Sequence, residues 1–129
     1  TILDEGKLRA ACLALREVNL LCENFEYVKK IAQEGDFIYL DPPYHPMSKT
    51  AHFTSYVEKP FLEDDQIRLQ NCFRELDEKG CKLIQSNSDT KFINDLYKGY
   101  KIKKISARRS INSKPGRRGK ISELLILNY

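Results

Sequence analysis

Apolar and polar residues follow two different rhythms along this chain. Phe37-Ile38-Tyr39-Leu40 is a short run of β-forming residues between Gly35-Asp36 and Pro42-Pro43, which predicts a buried strand. Residues 61–79 predict a helix. Leu69, Cys72, Phe73 and Leu76 recur at helical spacing, Glu63, Asp64 and Asp65 complement the positive end of its dipole, and Gly80 stops it. Lys82 to Gln85 predicts the next strand, opening into Ser86-Asn87-Ser88-Asp89. Ser88 or Asp89 would cap a helix over 90–98, with Phe92, Ile93, Leu96 and Tyr97 apolar and Gly99 at its end. Residues 100–107 and 121–128 predict two final strands.

Before the first strand the rhythm is helical again. Residues 4–17 place Leu8, Ala11, Cys12 and Leu15 on one face, and Asn19 to Cys22 is a candidate short strand. Phe25 to Gln33 predicts a second helix, with Phe25, Val28 and Ala32 inward. Strand–helix alternation through the middle implies an α/β fold around a parallel sheet with right-handed crossovers. The last two strands suggest an antiparallel hairpin at one edge. The connection from Asp41 to Pro60 is long for a compact domain, and such loops usually carry function.

With 129 residues, 41% of them hydrophobic and 31% charged, the chain suits one globular domain. No apolar run approaches the ~20 residues of a bilayer span, and nothing resembles a signal peptide, so no membrane is expected. Cys12, Cys22, Cys72 and Cys81 lack metal-site spacing and fall within apolar patterns. They read as reduced core residues of a cytoplasmic protein. The net charge of +4 conceals an asymmetry: residues 91–129 hold eleven Lys and Arg against two Asp and Glu. A basic final third fits a polyanionic partner, and equally a solvated lysine-rich edge.

The chemistry concentrates in Asp41-Pro42-Pro43-Tyr44. Ligands of open α/β sheets bind at the carboxyl ends of strands, where this cluster is expected. Two prolines end the strand ladder and stiffen its exit. The Asp41 carboxylate and the Pro42 carbonyl can accept the two hydrogens of an amine on a planar ring, while Tyr44 stacks on that ring. The same letters also suit a tight turn that merely ends a strand, with Tyr44 as a packing residue.

Three segments carry a wider resemblance: "GDFIYLDPPYHPMSKTAHFTSY" (35–56), "SNSDT" (86–90) and "RRSINSKPGRRGKISELLILNY" (108–129). Together they resemble the Dam-type DNA adenine methyltransferases, collinearly over residues 1–129. The resemblance implies a Rossmann-like methyltransferase sheet, here partial. It also implies transfer of a methyl group from S-adenosyl-L-methionine to the N6 amine of adenine flipped out of double-stranded DNA, within GATC. Asp41, Pro42, Pro43 and Tyr44 would be catalytic, with no covalent intermediate and no metal. Asp41 and Phe25 would touch the cofactor. Phe53 and Tyr56 would wall the base pocket or touch the DNA backbone, or else pack an ordered loop. Arg108, Arg109, Lys114, Arg117, Arg118 and Lys120 would meet phosphates, giving affinity without sequence choice. Ser86-Asn87 reads as helix capping beside the site. His45 and His52 lack a third ligand, so neither is assigned a metal.

The family grips its cofactor with an amino-terminal lysine segment and a glycine-rich loop, whereas the six glycines here include no G-x-G. The chain therefore reads as the carboxyl-terminal portion of a longer or split methyltransferase. A missing amino-terminal portion or subunit would hold the cofactor loop and the GATC-reading hairpin. Whether that enzyme belongs to a restriction-modification pair is left open. The alternative is a catalytically inactive DNA-binding or structural α/β fragment, and methylation of cytosine or of a protein glutamine is a third, smaller option.

Overall fold

A computed structural model describes residues 4–47, 61–108 and 120–129, with the backbone alone at residues 107, 108, 120 and 121. Helix α1 spans Glu5–Ala14 and α2 spans Val28–Ile31, preceded by a 3-10 turn at Phe25–Tyr27. Strand β1 (Phe37–Leu40) leads toward α3 (Glu63–Glu78), β2 (Lys82–Ser88), α4 (Lys91–Leu96), β3 (Lys101–Arg108) and β4 (Lys120–Leu127). The four strands form one sheet in the order β1-β2-β4-β3. Only β1 and β2 run parallel; β2–β4 and β3–β4 are antiparallel. The sheet is thus mixed, not parallel throughout, and the connection between β3 and β4 lies outside the described residues.

Two tight turns bring the parallel pair into register. Gly35 and Gly80 both have positive φ (87° and 83°), and a Cβ at Gly80 would meet the Glu34 side chain at 2.9 Å. The Gly35 amide donates to the Gly80 carbonyl at 3.0 Å, and the Lys82 amide to the Asp36 carbonyl at 2.7 Å. From there Phe37 pairs with Lys82 and Tyr39 with Ile84.

Alternation along the strands divides the sheet into two faces. Leu83, Gln85 and Asn87 of β2 share one face with Leu124 and Ile126 of β4. That face is covered: Cys72, Phe73 and Leu76 of α3, with Ile93 and Tyr97 from the region of α4, complete a buried core. The opposite face holds Phe37 and Tyr39 of β1, Ile84 of β2 and Leu125 of β4. There Phe37 is 59% exposed and Tyr39 54%. The expectation of a buried β1 is therefore corrected. Ile38 and Leu40 are half-buried on the core side, and the other two side chains meet no described cover.

Several other expectations change. Helix α1 forms, started by the Asp4 carboxylate accepting from the Lys7 amide at 3.1 Å, but none of its residues is buried. Local capping and an i,i+4 pair between Glu5 and Arg9 maintain it instead. Residues 19–22 form no strand, since no described strand is placed to pair with them. The helix expected over Phe25–Gln33 shortens to the 3-10 turn and α2, though Ala32 is buried and Phe25 and Val28 pack on the core as anticipated. Helix α4 is capped by Thr90, whose hydroxyl accepts from the Ile93 amide at 3.3 Å, because β2 continues through Ser88. Cys72 and Cys81 are buried free thiols; Cys12 and Cys22 are exposed. Burial pushes the Cys72 thiol up to about 11, so it stays protonated at neutral pH. No helix among the described residues is long and apolar enough to cross a membrane.

Candidate active site

Asp41 follows β1 directly, one position beyond Leu40, whose register partner is Gln85. Continuing that register sets Asp41 beside Ser86, and the two side chains meet. Ser86 Oγ donates to Asp41 Oδ1 at 2.6 Å. Among the described residues nothing donates to the second carboxylate oxygen or to the Pro42 carbonyl. Two acceptors on consecutive residues of the strand end are thus without a donor among the described residues, while one carboxylate oxygen is anchored.

Tyr44 lies over the same side of the sheet. Its hydroxyl donates to Glu123 Oε2 at 3.5 Å, and the residue is 37% exposed. Burial raises its phenol pKa most, a hydrogen bond with Ser86 opposes that, and the charges of Glu123 and Asp41 add to the rise. The hydroxyl is therefore a protonated donor at neutral pH, tethered at its tip, while the ring offers a face.

The backbone behind these groups is held by buried amides. Gln66 of α3 donates from Nε2 to the Pro43 carbonyl at 2.9 Å, and its Oε1 accepts from Asn87 Nδ2 at 3.0 Å. Asn87 Oδ1 in turn accepts from the His45 amide at 3.0 Å, and Ser88 Oγ donates to the His45 carbonyl at 2.5 Å. The His45 ring stacks on Phe92 at 4.8 Å, and its Nε2 lies 3.2 Å from Glu63 Oε1. Ser86 and Asn87 are thus strand residues bonded to the Asp41–His45 segment, and their reading as helix caps is corrected. Gln66 was not anticipated at all. Its only signal is a polar side chain three residues ahead of Leu69, on the apolar stripe of α3.

On the core side of the same strand end opens a hollow of about 200 Å³ lined by Phe25, Leu40, Phe61 and Leu69 together with Asp41, Pro42 and Pro43. Small-molecule sites usually measure ~300–1,000 Å³, so this one accommodates part of a ligand, such as a ring. Phe25 meets Phe61 edge-on at 5.9 Å, and the Arg68 guanidinium lies 5.2 Å from the Phe25 ring centre. Arg68 is itself held by Glu26 and by Asp65, the latter at 2.9 Å. The Arg68 hydrogen bond lowers the Glu26 pKa.

The structure therefore brings Asp41, Pro42, Pro43, Tyr44 and Phe25 to one strand end. It places the backbones of Arg108 and Lys120 opposite one another at the far end of the β3–β4 pair. Phe53, Tyr56, Arg109, Lys114, Arg117 and Arg118, along with His52, lie outside the described residues. Along β3 the exposed lysines Lys101, Lys103 and Lys104 continue the basic character of that edge.

Residues 1–111 match the family described as D12 class N6 adenine-specific DNA methyltransferase. The type II methyltransferase M.MjaIII of Methanocaldococcus jannaschii is 46% identical over 130 residues, covering 99% of this chain and 45% of that protein. The DNA adenine methylase of Haemophilus influenzae is 32% identical over 124 residues, covering 95% and 43%. The Escherichia coli DNA adenine methylase is 36% identical over 106 residues, covering 82% and 38%. The chain thus spans less than half the length of these curated relatives.

Proposed function

The chain belongs to the D12 class N6 adenine-specific DNA methyltransferases, and on that premise we propose that it forms the amine-orienting part of an enzyme that methylates adenine N6 in double-stranded DNA. The observation that carries this reading is the pair of acceptors at the end of β1 that no described residue occupies: the second oxygen of Asp41 and the carbonyl of Pro42. Adenine's amine is a weak nucleophile because its lone pair is delocalised into the ring. Accepting both its hydrogens favours a tetrahedral nitrogen whose lone pair points outward, at no reorganisation cost in a preformed site. Tyr44 stacks on the extruded base and offsets part of the few kcal/mol that flipping costs. Since the attack is direct, the protonated Cys72 and Cys81 have no role as nucleophiles.

S-adenosyl-L-methionine, when bound, supplies a methyl group on a sulfonium, and the residues present fit part of it. Phe25 and Phe61 suit an adenine ring in the apolar hollow, and Asp41, which lines it at the strand end, carries a carboxylate that suits a nearby cation. The hollow is too small for the whole cofactor. That supports the view that a further portion of polypeptide, amino-terminal or a separate subunit, completes the site and a Rossmann-like sheet. The exposed Phe37 and Tyr39, which no described residue covers, support the same view. Recognition of GATC would belong to that portion, as in the Dam-type enzymes the sequence resembles. Phe53 and Tyr56 would approach the base. Arg108, Arg109, Lys114, Arg117, Arg118 and Lys120 would neutralise phosphates.

The test is reconstitution. The chain is combined with a separately produced portion equivalent to the rest of its relatives, and transfer of labelled methyl groups to a duplex with one GATC is measured. Transfer to adenine N6 that requires both parts is expected. DNA binding without transfer would favour an inactive fragment.

A further inference from the structure

Of the two proline carbonyls at the strand end, only that of Pro43 accepts from a side chain among the described residues. Gln66 and Asn87 are both almost completely buried, at 1% and 0% exposure. Their amides form a directed chain from Asn87 Nδ2 to Gln66 Oε1, then from Gln66 Nε2 to the Pro43 carbonyl. Asn87 Oδ1 meanwhile fixes the amide of His45, two residues further on. Each proline has its φ locked near −65°, so the orientation of its carbonyl depends on ψ alone. Holding the Pro43 carbonyl toward α3 and the His45 amide toward β2 fixes both ends of the Tyr44 backbone. It also leaves the Pro42 carbonyl beside Asp41 with no described donor.

We propose that Gln66 and Asn87 are positioning residues that select which carbonyl of the Pro-Pro pair receives the substrate amine and that set the direction of Tyr44. This rests on the methyl-transfer reading of the same site. If the amides only satisfied one another in a core, an apolar pair of equal volume would serve as well. Their second bonds, to Pro43 and His45, are what couple helix and strand to the reacting segment. A misplacement of about 1 Å at such a site can cost roughly 100-fold in rate.

Two variants separate the roles. Gln66→Met keeps shape and loses both hydrogen-bonding groups. Gln66→Glu can replace the amide while its carboxyl is protonated, since it then donates to the Pro43 carbonyl and accepts from Asn87. Once ionised it sets a negative charge against that carbonyl. In the complete enzyme, Gln66→Met should lower the single-turnover methylation rate by roughly 10- to 100-fold with DNA affinity within about twofold of wild type. The Gln66→Glu rate, divided by the wild-type rate at each pH so that titration of His45, Glu63 and Asp41 cancels, should rise as pH falls. A purely structural role would lower stability in both variants and leave that ratio flat. Independently of activity, the His45 amide should exchange with solvent roughly 10-fold faster in Gln66→Met than in wild type. An unchanged His45 amide, an unchanged rate or a flat ratio would overturn the proposal. Absence of methyl transfer by the wild-type enzyme would strike at the reading of the site, and the exchange result tells that failure apart.

Discussion

The two faces of this four-stranded sheet carry similar apolar side chains, yet among the described residues helices cover only one of them. Leu83, Leu124 and Ile126 are fully buried beneath α3 and α4 on one side. On the other, Phe37 and Tyr39 stay more than half exposed. Helix α1, with Leu8 and Leu13 exposed, has no buried residue. Apolar patterning thus fixes which residues can be buried, and the presence of a covering layer decides whether they are. Asp41 to His45 runs along the seam. Its backbone is tied to the covered side through Pro43 and His45, while Asp41 and Tyr44 face the uncovered one. The site is thus anchored from behind by described residues of α3 and β2, which holds its geometry in place.

The largest effect expected from this contrast lies in the core. Phe73→Ala should cost about 3–5 kcal/mol, since the ring is fully buried and packs edge-on against Tyr97 and Tyr100. Tyr39→Ser on the open face should change the stability of this chain by no more than ~0.5 kcal/mol. Urea titration of both variants checks the pair, and a Tyr39 cost approaching that of Phe73 would erase the distinction between the faces.

At the seam, Tyr44→Ala should weaken base capture by about 1–3 kcal/mol more than Tyr44→Phe, because stacking needs the ring. Fluorescence of 2-aminopurine at the target position in a duplex bound to the complete enzyme measures it, and equal signals would exclude stacking. The smallest effect concerns the edge of the covered face, where Asp89 pairs with Lys104 at 2.8 Å and accepts from Asn94 at 2.9 Å. The Lys104 and Asn94 hydrogen bonds hold its carboxyl below the ordinary value of 3.8. A lowered native pKa stabilises the fold above about pH 4, and that contribution fades as pH falls through the native value. Asp89→Asn should therefore cost about 1 kcal/mol at pH 7, and the difference should shrink on acidification. A difference that grew toward low pH would reverse the assigned sign.

Much of the covered face was legible in the sequence. The spacing of Leu69, Cys72, Phe73 and Leu76 located α3, and Phe37 to Leu40 matched β1 residue for residue. The failures have one physical origin. Periodicity marks α1 as amphipathic and Asn19–Cys22 as β-prone, but neither pattern states what it packs against. The polar strand end misled for the opposite reason. Ser86-Asn87-Ser88 looks like a cap because small polar residues favour helix starts, and here tertiary partners recruit them into β2. Asp41-Pro42-Pro43-Tyr44 was readable as a local motif, whereas Gln66 reaches it from 23 residues away, a distance no local pattern encodes.

The central claim is that Asp41 acts on the amine during transfer and not on binding. Its direct test is single-turnover methylation of a GATC duplex by the complete enzyme carrying Asp41→Ala, with DNA affinity measured alongside. The rate should fall at least ~100-fold while affinity falls little, as when one preorganised polar contact to a transition state is lost. Retention of more than about a tenth of the wild-type rate would contradict the role assigned to Asp41.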